Sequence, residues 1–264
     1  MTHYPQVPVL DHGYVQLLRV DGDDEFLAQT ARTSTQSSGD PAKDARLVTR
    51  LVRDRHTSPI EFGGVVLEIK MPIFVARQWM RHRTGAFNEY SMRYTEAVNE
   101  YYIPEAERCQ AQSTFNKQGS AEFLGEGTAK AIQDVIRNSS ECSYDEYRQL
   151  LRMGLTRELA RAVLPVNFYT KVRWKINLHN LMHFLKLRED PHAQYEIRVY
   201  AEAIHGMLME HFPVAMAAFE EHIQNKIEIS PALAKTLANY AGIVAEDRGV
   251  SLTSEMQEFM KRNQ

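Results

Sequence analysis

Residues Arg81-His82-Arg83-Thr84-Gly85-Ala86-Phe87-Asn88-Glu89-Tyr90-Ser91-Met92-Arg93-Tyr94 bring three arginines, a histidine, an amide, a carboxylate and a hydroxyl into fourteen positions. A guanidinium fork grips a phosphate through two parallel hydrogen bonds. Ser91 adds a neutral donor, and Glu89 can accept from a ribose hydroxyl or hold an arginine. The chain as a whole is slightly acidic, with 31 Lys+Arg against 34 Asp+Glu and a formal charge of −3. The cationic cluster is therefore local and points to a small phosphorylated ligand. A general nucleic-acid binder would be basic overall.

The elements carrying these residues change period at Gly85. Helical spacing over Ile73 to Arg83, opened by Pro72, puts Gln78, Arg81 and His82 at i, i+3 and i+4 on one face. Arg77 and Arg81 are like charges at i, i+4, unfavourable by a few tenths of a kcal/mol unless an anion or carboxylate faces them. An extended Asn88 to Tyr94 would send Glu89, Ser91 and Arg93 to one side and Tyr90, Met92 and Tyr94 to the other. The bland reading is a solvated face with a surface Glu–Arg pair worth under about 1 kcal/mol. A nucleotide- or RNA-binding module without catalysis, stacking bases on Tyr90 and Tyr94, is the competing functional reading.

Elsewhere, Tyr14 to Val20, Val65 to Met71 and Val166 to Ile176 read as strands. Pro41 to Arg55, a long stretch within Ala121 to Arg152, and Leu178 to Arg188 read as helices, the last with Asn177 as N-cap. Asp190-Pro191 reads as the start of a helix running towards Phe212, and Ser230-Pro231 as the start of a short C-terminal one. Runs of strand and helix without regular alternation indicate α+β. Residues 1–220 are expected to form a single domain and 221–264 a helical C-terminal tail. Cys109 and Cys142 lie far apart and outside any CxxC pattern, which excludes a disulfide framework and a cysteine zinc site. His179 and His183 share the spacing of helical zinc ligands. Asn180 stands where H-E-x-x-H has its glutamate, so no metal is expected. Met1 to Gly13 lacks an apolar signal region, and no apolar run approaches the roughly 18 residues of a membrane span. The expectation is a cytoplasmic protein with no membrane or nucleic-acid partner.

The central stretch resembles the signature of flavin-dependent thymidylate synthases, R-H-R-x-x-S-x-N-E-x-S-x-R-Y. Eight of its nine fixed positions match, Ala86 standing where the family usually has serine. The resemblance spans roughly residues 14–215. It takes in Ala31-Arg32-Thr33-Ser34, His56-Thr57-Ser58-Pro59-Ile60-Glu61, Arg77-Gln78-Trp79, Arg161 before Leu164-Pro165, Asn177 to Phe184, Leu187-Arg188 and His192-Ala193-Gln194.

The resemblance implies an antiparallel sheet with several long helices, assembled as a homotetramer with shared active sites. It also implies synthesis of dTMP from dUMP. The one-carbon unit would come from 5,10-methylenetetrahydrofolate and the hydride from NADPH through FAD, leaving tetrahydrofolate. Carried over by position, Gln78, Arg81, Glu89, Ser91, Met92, Arg93, Arg161 and Arg188 would bind dUMP. Arg93 and Ser91 would hold its phosphate, and Arg161 or Arg188 would polarise the uracil carbonyl. Ser34, His56, Ser58, Arg81, His82, Arg83, Glu89, Asn177, His179 and His183 would bind FAD. His56 would also meet folate or the nicotinamide. Arg188, Ser91 and His56 would stand nearest the chemistry. Ser91 reads as a phosphate ligand in preference to a nucleophile, which would need an adjacent base. Neither cysteine sits in an activating context, so the resemblance assigns the hard step to flavin.

Overall fold

Five strands form one antiparallel sheet in a computed structural model that describes residues 4–34, 36–114, 117, 119–248 and 253–263. The chain begins with β1 (Gln6–Val9), β2 (Gly13–Asp21), α1 (Asp24–Arg32), α2 (Pro41–Arg53), α3 (Thr57–Ile60), β3 (Gly64–Pro72), α4 (Ile73–Trp79) and β4 (Ala86–Glu89). A hairpin, β5 (Gln110–Gln112) and β6 (Ser120–Phe123), precedes α5 (Glu126–Arg152) and α6 (Arg157–Ala160). Then come β7 (Tyr169–Asn177), α7 (Leu178–Arg188), α8 (Tyr195–His211), α9 (Pro213–Phe219), α10 (Pro231–Arg248) and α11 (Ser254–Asn263). The large sheet has the order β1-β2-β3-β7-β4.

Period-two patterning decides which face is covered. Val65, Leu67 and Ile69 pair with Ile176, Trp174 and Val172, and all six are buried. The alternate residues carry charge: Glu68 receives Arg173 Nε at 3.2 Å and the Tyr14 hydroxyl at 2.9 Å, and Lys70 pairs with Glu100 at 2.6 Å. Trp79, at the end of α4, stands edge-on to Trp174 at 5.3 Å and Tyr200 at 6.1 Å. Its ring centroid lies 4.6 Å from that of Phe184. One residue thus ties α4 to β7, α7 and α8. A second cluster joins Met92 and Ala97 to Tyr147 and Ala160 on α5 and α6.

Four sequence expectations are corrected. The helix from Ile73 stops at Trp79 instead of Arg83. It closes by i→i+3 bonds from Arg81 N to Gln78 O (3.3 Å) and His82 N to Trp79 O (3.0 Å), with Trp79 buried at the exit. The extended run is Ala86–Glu89, not Asn88 to Tyr94. Tyr94 N bonds Ser91 O at 3.0 Å and turns the chain, so Glu89, Ser91 and Arg93 do not share one strand face. The helix expected from Asp190-Pro191 starts at Tyr195, because the Asp190 carboxylate accepts from His192 N at 2.8 Å and closes a local turn instead. The C-terminal helix after Ser230 is 18 residues long, not short.

The chain divides into two compact units, Met1–Gln224 and Asn225–Gln264. In the second unit α10 and α11 pack on each other. No helix among the described residues is long and apolar enough to cross a membrane.

Candidate functional site

The exit from α4 is the first site element. His82 is 9 % exposed, its ring edge-on to Phe184 at 4.9 Å and facing His183 at 6.4 Å. Arg188, the last residue of α7, donates from Nε to His82 Nε2 at 2.9 Å and from a terminal nitrogen to Gln78 O at 3.4 Å. Burial pulls His82 down to about 4, with the Arg188 charge and His183 adding to it. The ring is therefore neutral near pH 7, protonated on Nδ1 and accepting at Nε2. Gln78, Arg188, His82 and His183 form one connected group. Gln78 in turn donates to Gln194 Oε1.

Gly85 begins the second element. A Cβ there would lie 2.3 Å from Trp174 Nε1 and 2.9 Å from Lys175 O, so only glycine lets β4 dock on β7. Phe87 then stacks on Trp174 at 5.8 Å and 15°. Glu89 lies opposite Val172 in the pairing and accepts from Thr170 Oγ1 at 2.7 Å. After Glu89, buried Met92 pins the turn against Tyr147, whose hydroxyl accepts from Ala97 N at 3.0 Å. Glu89, Ser91, Met92 and Arg161 consequently line one cavity of about 480 Å³, with Arg77 and Glu158. Arg93 does not line this cavity; it pairs at 3.5 Å with Glu158, which borders both this cavity and the next hollow beside α6, where Arg93 lies.

The third element is a groove of about 1230 Å³ that includes Ser34, His56 and Ser58. His56 is placed by the way α2 ends. Arg55 N bonds Val52 O at 3.2 Å and His56 N bonds Leu51 O at 2.9 Å, a Schellman closure. Arg55 occupies the left-handed position of that motif at φ 57°, where glycine is usual. Phe26 and Phe62 supply apolar wall, and Lys43, Arg46 and Arg50 supply cations.

The sequence-derived residues therefore fall into three groups within one chain. The cavity of Glu89, Ser91, Met92 and Arg161 is not lined by Gln78, Arg81 or Arg188. Arg81 and Arg83 are exposed in the turn between α4 and β4. Asn177 caps α7, accepting from Asn180 N at 2.9 Å, as its position before the helix predicts. His179 is half-buried in the first turn of that helix. Sequence reasoning missed Glu158, Thr170, Arg46 and Arg50, all brought in by tertiary packing. It also missed Glu196, although a glutamate on the buried face of α8, one turn before Tyr200, is a readable signal.

The profile of the family described as "Thymidylate synthase complementing protein" matches residues 16–214. A flavin-dependent thymidylate synthase of Wolbachia pipientis wMel is 46% identical over 220 residues, 83% of this chain and 78% of that one. A protein of the same description from Thermus thermophilus is 49% identical over 218 residues, 82% and 79% of the two chains. Among solved structures, a UMP/dUMP methylase from Streptomyces cacaoi bound with 5-Br dUMP superposes with a TM-score of 0.73 at 30% identity, over 81% of this chain and 97% of that one. The chain belongs to the flavin-dependent thymidylate synthase family.

Proposed function

We propose that this protein makes dTMP from dUMP by reductive methylation. The methylene carbon of 5,10-methylenetetrahydrofolate is joined to uracil C5, whose proton leaves to solvent. NADPH is the source of the hydride equivalent that reduces that carbon to methyl, FAD would be the group that relays it, and tetrahydrofolate is released. The observation that carries the reading is the cavity in which Glu89, Ser91, Met92 and Arg161 meet beside Arg77. It offers a hydroxyl and two guanidinium groups to a phosphate, with an apolar floor for a sugar or base.

The residues of the groove fit a flavin dinucleotide. Its volume of about 1230 Å³ has room for two linked ring systems, for which Phe26 and Phe62 would supply apolar wall, while Arg46 and Arg50 would offset a diphosphate. Ser34, His56 and Ser58 would hold the group from this side; Arg81, His82, Arg83, Glu89, Asn177, His179 and His183 would hold it from the other two groups. When bound, flavin supplies the hydride relay between the two co-substrates. Arg93 and Ser91 hold the dUMP phosphate, Arg93 leaving Glu158 for it. Arg188 faces the uracil and stabilises negative charge developing on the ring, and neutral His82 keeps that guanidinium oriented. His56 borders the folate or nicotinamide.

Neither cysteine is placed as a nucleophile: burial pushes the Cys109 thiol up, and Cys142 is exposed on α5. Since Ser91 and Arg161 do not share a cavity with Gln78 and Arg188, we assign the complete site to a homotetramer in which one copy supplies each half. The activity is assigned to residues 1–220, with 221–264 as a helical tail, in a cytoplasmic setting.

The RNA-binding alternative is not favoured. The Tyr90 hydroxyl is tied to Glu96 O at 2.7 Å, Met92 is buried and the strand ends at Glu89, so Tyr94 is exposed but does not share one extended face with Tyr90 as a stacking platform.

Tritium release from dUMP labelled at C5, with and without NADPH and FAD, tests the proposal. Release that needs both, from a yellow protein, is expected. Release that ignores flavin would overturn it.

A further inference from the structure

Glu196, in the first turn of α8, is a carboxylate only 5 % exposed, and the reaction as described makes no use of it. Its Oε1 accepts from the Tyr102 hydroxyl and from Arg108 Nε, both at 3.2 Å. Its Oε2 accepts from Gln194 Nε2 at 2.8 Å. The Arg108 charge compensates the buried carboxylate. Tyr102 is pushed well above the ordinary phenol value by burial and by Glu196, so its hydroxyl stays a donor.

An ionised carboxylate only accepts, whereas a primary amide has one accepting and one donating end. Gln194 can meet Glu196 only with its NH₂, and its Oε1 is thereby turned to Gln78. Gln78 can answer that oxygen only with its own NH₂, which is the contact observed. The free end of the Gln78 amide is then Oε1. The hand of both amides follows from the charge on Glu196. Gln78 is held from the other side as well, because Arg188 donates to its backbone carbonyl.

We propose that Glu196, acting through Gln194, is a positioning residue that makes Gln78 Oε1 an acceptor presented to the nucleotide, so that the site selects a ligand group that donates a hydrogen bond. On dUMP the groups of that chemistry are the uracil imide N–H and the deoxyribose 3′-hydroxyl. Cytosine carries a lone pair where uracil carries the imide N–H, and would set two acceptors against each other. The inference rests on the assignment of Gln78 to the dUMP site, and the test separates the two.

Dissociation constants of dUMP, dCMP and 2′,3′-dideoxyUMP are to be measured with the full-length, flavin-loaded protein. The variants are Gln194→Met, Glu196→Gln and Gln78→Ala. Gln194 is exposed, so Gln194→Met removes both amide ends without touching the core. If the imide is read, the preference for dUMP over dCMP falls about tenfold or more in Gln194→Met and Glu196→Gln. If the hydroxyl is read, the penalty for the dideoxy analogue falls by that amount instead. Loss of a merely structural contact would weaken all three ligands alike and leave both ratios in place. Unchanged ratios in both variants, with dUMP weakened by Gln78→Ala, would overturn the relay while leaving Gln78 at the nucleotide. Unchanged dUMP affinity in Gln78→Ala would overturn that placement and the relay with it.

Discussion

Arg188 Nε donates to His82 Nε2 at 2.9 Å, a bond that lasts only while the imidazole is neutral. The folded pKa of about 4 lies below the ordinary value of 6.5. Between these values the native state binds fewer protons than the unfolded chain, so stability falls as pH drops from 6.5 through about 4. The loss attributable to His82 is at most about 3 kcal/mol. Thermal melts across this window should show a shallower slope for His82→Asn, which retains an acceptor for Arg188 and does not titrate. Equal slopes in the two proteins would remove His82 as the titrating group.

Arg188→Lys retains charge but loses the planar fork that reaches His82 and Gln78 together. We expect kcat to fall by about 10²-fold with KM for dUMP little changed, read from steady-state turnover. A raised KM with normal kcat would move Arg188 from charge stabilisation to simple binding.

Ser91 stands beside Met92 in the cavity with Arg77 and Arg161, and the Arg93 amide donates to its hydroxyl at 3.3 Å. As a phosphate ligand, Ser91→Ala should raise the dUMP dissociation constant by about tenfold, near 1.4 kcal/mol, with measurable turnover remaining. Abolished turnover at intact dUMP affinity would establish the nucleophile reading instead.

Arg55 holds a left-handed conformation at the close of α2, directly before His56. Glycine adopts it without the Cβ clash, so Arg55→Gly should stabilise the protein by about 1 kcal/mol, and Arg55→Val should destabilise it. Chemical denaturation measures both. If the glycine variant is less stable, the Arg55 side chain makes a contact that outweighs its strain.

Much of the frame was legible because it rests on local rules. Asn177 before an apolar-rich helix is a cap by side-chain chemistry alone, and α7 runs from Leu178 to Arg188 as expected. Val172, Trp174 and Ile176 alternate, and they form the covered face of β7. The end of α4 was not legible, since Arg81 and His82 are compatible with a longer helix. Its exit is set where Trp79 is seated among Trp174, Phe184 and Tyr200, residues about a hundred positions away, and the chain beyond it is drawn into i→i+3 bonds. The shortness of β4 has the same origin: Met92 is drawn into the Tyr147 cluster, and that bends the strand expected to reach Tyr94.

By itself the sequence determined the kinds of groups available and the change of period at Gly85, since residue type and spacing are local properties of the chain. Only the tertiary structure decided which of those groups meet. It set Arg188 against His82, turned Arg93 to Glu158, and separated Ser91 from Gln78 within one chain. Side chains far apart in sequence are brought together by burial of the apolar face beneath the sheet, and no spacing rule records which polar residues that burial carries with it.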